Sequence, residues 1–229
     1  MSGFLLPAPK LPLETYTHIH ETARRFADNK IRPRAAALAE SEVFPADLYA
    51  EMGQLGLFGI TVPEDCSGAG LDTLSYAVVM EELSRGYASI AAQCGLVELI
   101  GTLLSAHGTS AQRERYLSDA LAAKSRVAYC ITEAEAGSDV SGIKTTAARD
   151  GAGWRLSGSK VWIHNAPVAD FGYVLARTDP AAGHRGAPAG GQASSRRPQT
   201  LGPAGDDDDL AAEIERRAHG RTSGLTTFG

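Results

Sequence analysis

The chain has 229 residues, 43% hydrophobic and 21% charged, with 22 Lys and Arg against 27 Asp and Glu and a formal net charge of −5. That length allows one or two domains with a buried core, and the mild acidity argues against a general nucleic-acid binder or a polybasic membrane anchor. No run of about 18 uninterrupted apolar residues is present, so no spanning helix is expected, and MSGFLLPAPK lacks the cationic lead of a secretory signal.

Residues 10 to about 122 read as helix. Leu13, Tyr16, Ile19, Ala23, Phe26, Ala27 and Ile31 recur three or four apart, which makes one apolar stripe. Pro33 is expected to end or kink that helix. A second helix starts at Pro45 and carries Leu48, Met52 and Leu55 inward until Gly53 and Gly56 dissolve it. GLFGITVPEDCSGAG reads as a loop. Asp72 is a candidate N-cap for TLSYAVVMEELSR, and Gly86 separates this helix from an apolar one through Ala106. Thr109 and Gln112 have capping-box spacing ahead of RERYLSDALAA.

At Val127 the period changes. VAYCI has strand length, and Ile143–Ala147, Trp154–Leu156, Lys160–Ile163 and Phe171–Ala176 are further strand candidates, with Gly151, Gly153 and Gly158 as turn residues. Strands after helices predict two layers or domains of different class. After Asp179 the pattern fails. Residues 180–229 hold five non-alanine apolar residues and an Asp206–Asp209 block, a composition that cannot repay its ordering entropy, so the tail reads as disordered. The three cysteines (Cys66, Cys94, Cys130) have no CxxC or His-spaced partners. No disulfide framework or metal site is expected, and the setting reads as reduced and cytoplasmic.

The densest chemical signal is AYCITEAEAGSDVSGIK, residues 128–144: a strand, then an acid-flanked Ala-Gly-Ser-Asp turn. Gly137 permits close backbone approach, Ser138 offers a hydroxyl, and the strand-end amides near Ile131–Thr132 can donate to a polar ring edge. The same spacing suits a turn whose Ser and Asp only cap backbone. The second signal is SGSKVWIHNAPVADF, residues 157–171, in which Trp162 either packs in a core or lies along a planar cofactor. His164 has no catalytic signature around it. Glu81, Glu82, Glu133, Glu135 and Asp139 read as caps or solvated faces.

Taken together, these two stretches resemble the acyl-CoA dehydrogenase family. RFADNKIRP, FPADLYAEMGQLGLFGITVPEDCSGAG, MEELSR and QRERYL also stand in the family's order, so the resemblance covers about residues 10–185. It implies an α+β chain: an N-terminal all-helical domain (1–126), an incomplete antiparallel β-barrel domain (127–185) and the disordered tail (186–229). It implies FAD as cofactor, held by Tyr129, Cys130, Ile131, Thr132, Gly137 and Ser138, with Thr132 near the isoalloxazine edge. By the same resemblance Trp162, Ile163 and His164 would form the second flavin contact, and Ser138 would also face the acyl-CoA thioester. The implied reaction is α,β-dehydrogenation of an acyl-CoA in fatty-acid or related catabolism. By the same resemblance an electron-transfer flavoprotein would accept the electrons, and family members are dimers or tetramers, which makes a homo-oligomer one expectation for this chain. A carboxylate base, oxyanion donors and flavin must share one dry cavity for that chemistry.

Two departures stand out. His164 takes a place where the family usually has Thr or Ser. The family's catalytic glutamate lies in a C-terminal helical domain, and no residue here matches it. The resemblance fades near Arg185–Gly186, as a shifted reading frame in a GC-rich gene would produce, and the expectation is a truncated or frameshifted, inactive version. The alternatives are a non-catalytic fragment or pseudoenzyme that binds a family partner, and a flavin-dependent monooxygenase of the same fold.

Overall fold

The computed structural model describes residues 9–151, 153–178 and 225–228. Two compact units divide the chain, Met1–Ser125 and Arg126–Gly229. The described residues form a helical N-terminal part followed by a few strands, and among them no barrel closes.

In the first unit α1 (Leu13–Phe26) buries Tyr16, Ala23 and Phe26, and the stripe continues through Ala27 and Ile31. Glu14 in its first turn and Arg24 and Arg25 in its last complement the helix dipole. Pro33 does not stop the helical path. A π turn (Ala27–Ile31) widens the backbone ahead of the ring, a 3-10 turn (Arg32–Arg34) accommodates it, and α2 (Ala35–Ser41) follows. The wide turn relieves the clash a proline ring makes with the carbonyl four residues back.

Helix α3 (Ala46–Gln54) begins after Pro45 and buries Leu48, Tyr49 and Met52, whereas Leu55, expected inside, is 40% exposed just past its end. Gly53 stays helical, and its role is packing: a Cβ there would stand 2.5 Å from that of Ala123. Asp72 caps α4 (Thr73–His107), its Oδ1 accepting from the Ser75 amide at 2.9 Å. The helix kinks at Tyr87, which is extended (φ −166°, ψ 119°), beside the anticipated break at Gly86. By length and composition α4 could cross a membrane, contrary to the expectation that no such helix exists. Its most apolar window is 56% buried within the protein, as in a core helix. Glu82 on α4 departs from the solvated face expected of it. It is 3% exposed, and its Oε1 lies 3.1 Å from His20 Nε2. Thr109 and Gln112 close the capping box that opens α5 (Ser110–Gln112); a π turn (Arg113–Leu117) and α6 (Ser118–Leu121) complete the unit.

In the second unit β1 (Val127–Cys130) pairs in parallel with β4 (Phe171–Val174), Val127 opposite Phe171 and Cys130 opposite Val174. The forty-residue crossover between them makes the parallel arrangement accessible, a departure from the incomplete antiparallel barrel that the resemblance implies. Arg126 forks onto Asp170, with Nε to Oδ2 at 3.0 Å and Nη2 to Oδ1 at 3.1 Å, and thereby aligns the starts of both strands. The antiparallel sheet has the order β2 (Thr146–Asp150), β3 (Gly153–Val161) and β5 (Leu225–Phe228). The strand β5 falls in the segment read as disordered: four extended residues pair with the free edge of Gly158–Val161. The remainder of that tail reading, and the suspected frame change after Arg185, lie outside the described residues.

Strand β2 starts later than expected because Ile143–Thr145 form the approach to it, and β3 is one strand rather than two. Gly158, read as a turn residue, lies inside β3 at φ +151°, where a Cβ would stand 2.5 Å from Thr145 Oγ1 and 2.7 Å from Thr145 Cα. Gly158→Ala is expected to cost about 1–3 kcal/mol through strain and this close approach. Thermal unfolding checks it, and an unchanged midpoint would refute the argument.

Candidate functional site

The two chemical stretches of the sequence converge in the second unit. The polypeptide leaving β1 runs through Ile131, Thr132 and Glu133, and the end of β3 lies against it. The Val161 amide donates to the Thr132 carbonyl at 3.0 Å, and Lys160 Nζ donates to the Ile131 carbonyl at 3.0 Å. Residues about thirty apart in sequence thus meet where Trp162 emerges from the sheet.

Trp162 is 84% exposed and has φ +59°, a left-handed conformation rare for a bulky side chain. An indole held open to solvent in strained backbone does not serve a core. It is the kind of outlier that points to a ligand. Ile163 and His164 follow, both half-buried, and burial holds the His164 imidazole below its ordinary pKa. That favours the neutral ring and softens the departure from Thr or Ser at this position. Asn165, also left-handed, is buried, and its Nδ2 donates to the Val127 carbonyl at 3.2 Å.

On the β1 side the anticipated residues divide. Tyr129 is half-buried, its ring 6.0 Å from that of Tyr173, and burial raises the pKa of both phenols. Cys130 is 1% exposed and its thiol is pushed up to about 11 by burial, so its side chain belongs to the core and only its backbone borders the site. Among the described residues the Ile131 and Thr132 amides donate to no carbonyl, while the Thr132 carbonyl is engaged. Glu133 and Ala136 exchange backbone bonds at 2.9 and 3.1 Å, closing a tight turn that projects Gly137 and Ser138 outward. Both are exposed; a Cβ on Gly137 would meet nothing within 4 Å, and the Ser138 hydroxyl has no hydrogen-bond partner among the described residues. Asp139 takes the local capping role, its Oδ1 accepting from the Ser141 amide at 3.0 Å.

Beneath this surface lies a cluster the sequence reading missed. Lys160 is 0% exposed and its Nζ is 2.8 Å from Glu133 Oε1. Glu133 Oε2 accepts from the Lys144 amide at 2.6 Å and Oε1 from the Thr145 amide at 2.9 Å. Burial alone would raise the Glu133 carboxyl, but the Lys160 ammonium and these amides hold it down at about 2. The only local signal was an alternation placing Lys160 on the inward face of its strand, a position where a lysine is normally unexpected.

The exposed indole, the open amides, the unpaired Ser138 hydroxyl and the clear approach over Gly137 together fit a planar group with a polar edge.

Both parts of the chain match domains of known proteins. Residues 14–124 match the acyl-CoA dehydrogenase N-terminal domain and residues 128–192 the acyl-CoA dehydrogenase middle domain. The chain is 41% identical over 160 residues to benzylmalonyl-CoA dehydrogenase of Aromatoleum aromaticum, covering 69% of this chain and 42% of that one. The fold is similar to butyryl-CoA dehydrogenase of Megasphaera elsdenii, with TM-score 0.70, 30% identity and coverage of 76% and 46%. It is also similar to a chain solved as electron transferring flavoprotein of Acidaminococcus fermentans, with TM-score 0.69, 33% identity and coverage of 74% and 45%. The chain therefore spans under half the length of these relatives.

Proposed function

Because the chain belongs to the acyl-CoA dehydrogenase family by its N-terminal and middle domains, we propose that its second unit holds FAD and that the parent activity is α,β-dehydrogenation of an acyl-CoA, with electrons passed to an electron-transfer flavoprotein. The observation that carries this reading is the 3.0 Å bond from the Val161 amide to the Thr132 carbonyl, which sets the exposed Trp162 beside the open Thr132 amide.

Bound by Ile131, Thr132, Ser138 and Trp162, FAD would supply a hydride acceptor for the β hydrogen of the acyl chain. The chain's own residues prepare that event. The Ile131 and Thr132 amides offer donors to the polar ring edge, Trp162 covers a ring face and excludes water, and Ile163 and His164 continue that contact. Ser138 offers its hydroxyl towards the thioester. A base is a different matter. The buried carboxylates are already committed: Glu82 to His20 and Arg85, Glu98 to the Ile60 and Thr61 amides, Glu133 to Lys160. The reading is therefore of flavin binding without turnover by the described residues.

Titration with FAD under nitrogen tests it. The protein is expected to turn yellow with quenching of tryptophan fluorescence, and failure to bind FAD would refute the reading. Bleaching of bound flavin by an acyl-CoA would overturn the absence of turnover. Trp162→Ala is expected to weaken FAD binding by about tenfold, as befits loss of one aromatic stacking contact, and Trp162→Phe by less.

A further inference from the structure

The Ile131–Thr132 peptide has an unusual pair of environments. Its carbonyl accepts from the Lys160 ammonium at 3.0 Å, inside the protein, while its N–H, the Thr132 amide, has no acceptor among the described residues. The next peptide, Thr132–Glu133, is bonded at both ends: its carbonyl accepts from the Val161 amide and its N–H donates to the Ala136 carbonyl. One peptide is saturated. Its neighbour is bonded to a cation on one side and left open on the other.

Hydrogen bonds through a peptide unit reinforce one another, because a donor on the carbonyl withdraws charge from the nitrogen and makes the N–H a stronger donor. A cationic donor does this more than a neutral one. From this geometry we infer that Lys160 is a positioning residue that polarises the Ile131–Thr132 peptide and presents the Thr132 N–H, oriented and strengthened, to the edge of the flavin. The inference rests on the flavin reading of the site. Glu133 completes the device: it neutralises Lys160 at 2.8 Å, and its bonds to the Lys144 and Thr145 amides stop the carboxylate from drawing the ammonium away from Ile131. Stability alone is a weak reason for this pair, since well-packed apolar residues often replace a buried ion pair without loss.

Nuclear magnetic resonance of the whole flavin-free chain, combined with FAD titration, tests the proposal. In the unsubstituted protein a scalar coupling is expected between Lys160 Nζ and the Ile131 carbonyl carbon, with the Thr132 amide proton shifted downfield. Absence of the coupling would overturn the proposal whatever any variant does. The double variant Lys160→Met/Glu133→Gln removes both buried charges together and spares the fold the burden of one left alone. Its Thr132 amide proton is expected to move upfield before any flavin is added, and its FAD dissociation constant to rise about tenfold, the size of one charge-assisted hydrogen bond. A purely structural Lys160 would leave both unchanged in the folded variant, and that result would overturn the proposal. If the double variant does not fold, the coupling and downfield shift in the unsubstituted chain decide the matter. An unsubstituted chain that shows the coupling but binds no FAD refutes the flavin reading itself, and with it the purpose assigned here to Lys160.

Discussion

Glu98→Ala is expected to lower the stability of the helical unit by about 2–5 kcal/mol, the cost of leaving one buried and one half-buried amide donor without an acceptor. Glu98 sits in the apolar half of α4, 5% exposed, where a carboxylate would be costly without partners. It has three. Its Oε2 accepts from the Ile60 amide at 2.7 Å, and its Oε1 accepts from the Thr61 amide at 2.6 Å and the Thr61 hydroxyl at 2.5 Å. The loop it holds folds back on itself through Ala69 to Gly59, Gly70 to Val62 and Leu71 to Ile60 backbone bonds of 2.8–2.9 Å. Two of those carbonyls belong to the loop stretch that Glu98 fixes, so losing the carboxylate loosens the whole turn. Glu98→Gln keeps the size and one acceptor but turns an NH2 group towards the other donors, and is expected to cost about 1–3 kcal/mol. Urea unfolding followed by circular dichroism gives the energies, and hydrogen exchange at Ile60 and Thr61 localises them. An unaltered urea midpoint for the alanine variant would refute the argument.

The sequence made the local devices readable. Asp72 and the Thr109–Gln112 box announce helix starts because capping is a contact between residues three apart, and the helix break at Tyr87 is marked in the sequence by the adjoining Gly86. What escaped was set by residues distant in sequence. Gly158 looks like a turn, and only the approach of Thr145 shows why a glycine stands inside a strand. Leu55 fits the apolar period of α3 but falls one residue beyond its end. The two chemical stretches, residues 128–144 and 157–171, were legible as motifs through resemblance. Their convergence was not, because the bond from Val161 to Thr132 spans 29 residues and no local pattern encodes it. Lys160 was the hardest to see. Alternation places Lys160 inward, but nothing local names its counter-charge, because Glu133 stands 27 residues away and reads as a cap or part of a solvated face.

The Lys160–Glu133 pair also makes the second unit sensitive to acid. The Glu133 carboxyl titrates at about 2 in the folded protein against an ordinary value of 4.5. A depressed folded value means that the stabilisation is complete above about 4.5 and is lost as the pH falls towards about 2. The loss is expected to be about 2 kcal/mol, kept below the full shift because solvent screens the exposed side of the turn. Glu133→Gln should flatten that part of the curve. Lys160→Met is the sharper probe. At neutral pH it strands a carboxylate that is 8% exposed, at an expected cost of about 3–5 kcal/mol. In acid the same carboxyl is protonated and needs no counter-charge, so the gap between Lys160→Met and the unsubstituted protein should narrow. Urea unfolding at pH 7 and pH 3 measures it, followed through the near-ultraviolet signal of Tyr129, Tyr173 and Trp154. A gap of constant size would mean that Lys160 stabilises this unit by packing its hydrocarbon stem rather than by holding the charge of Glu133.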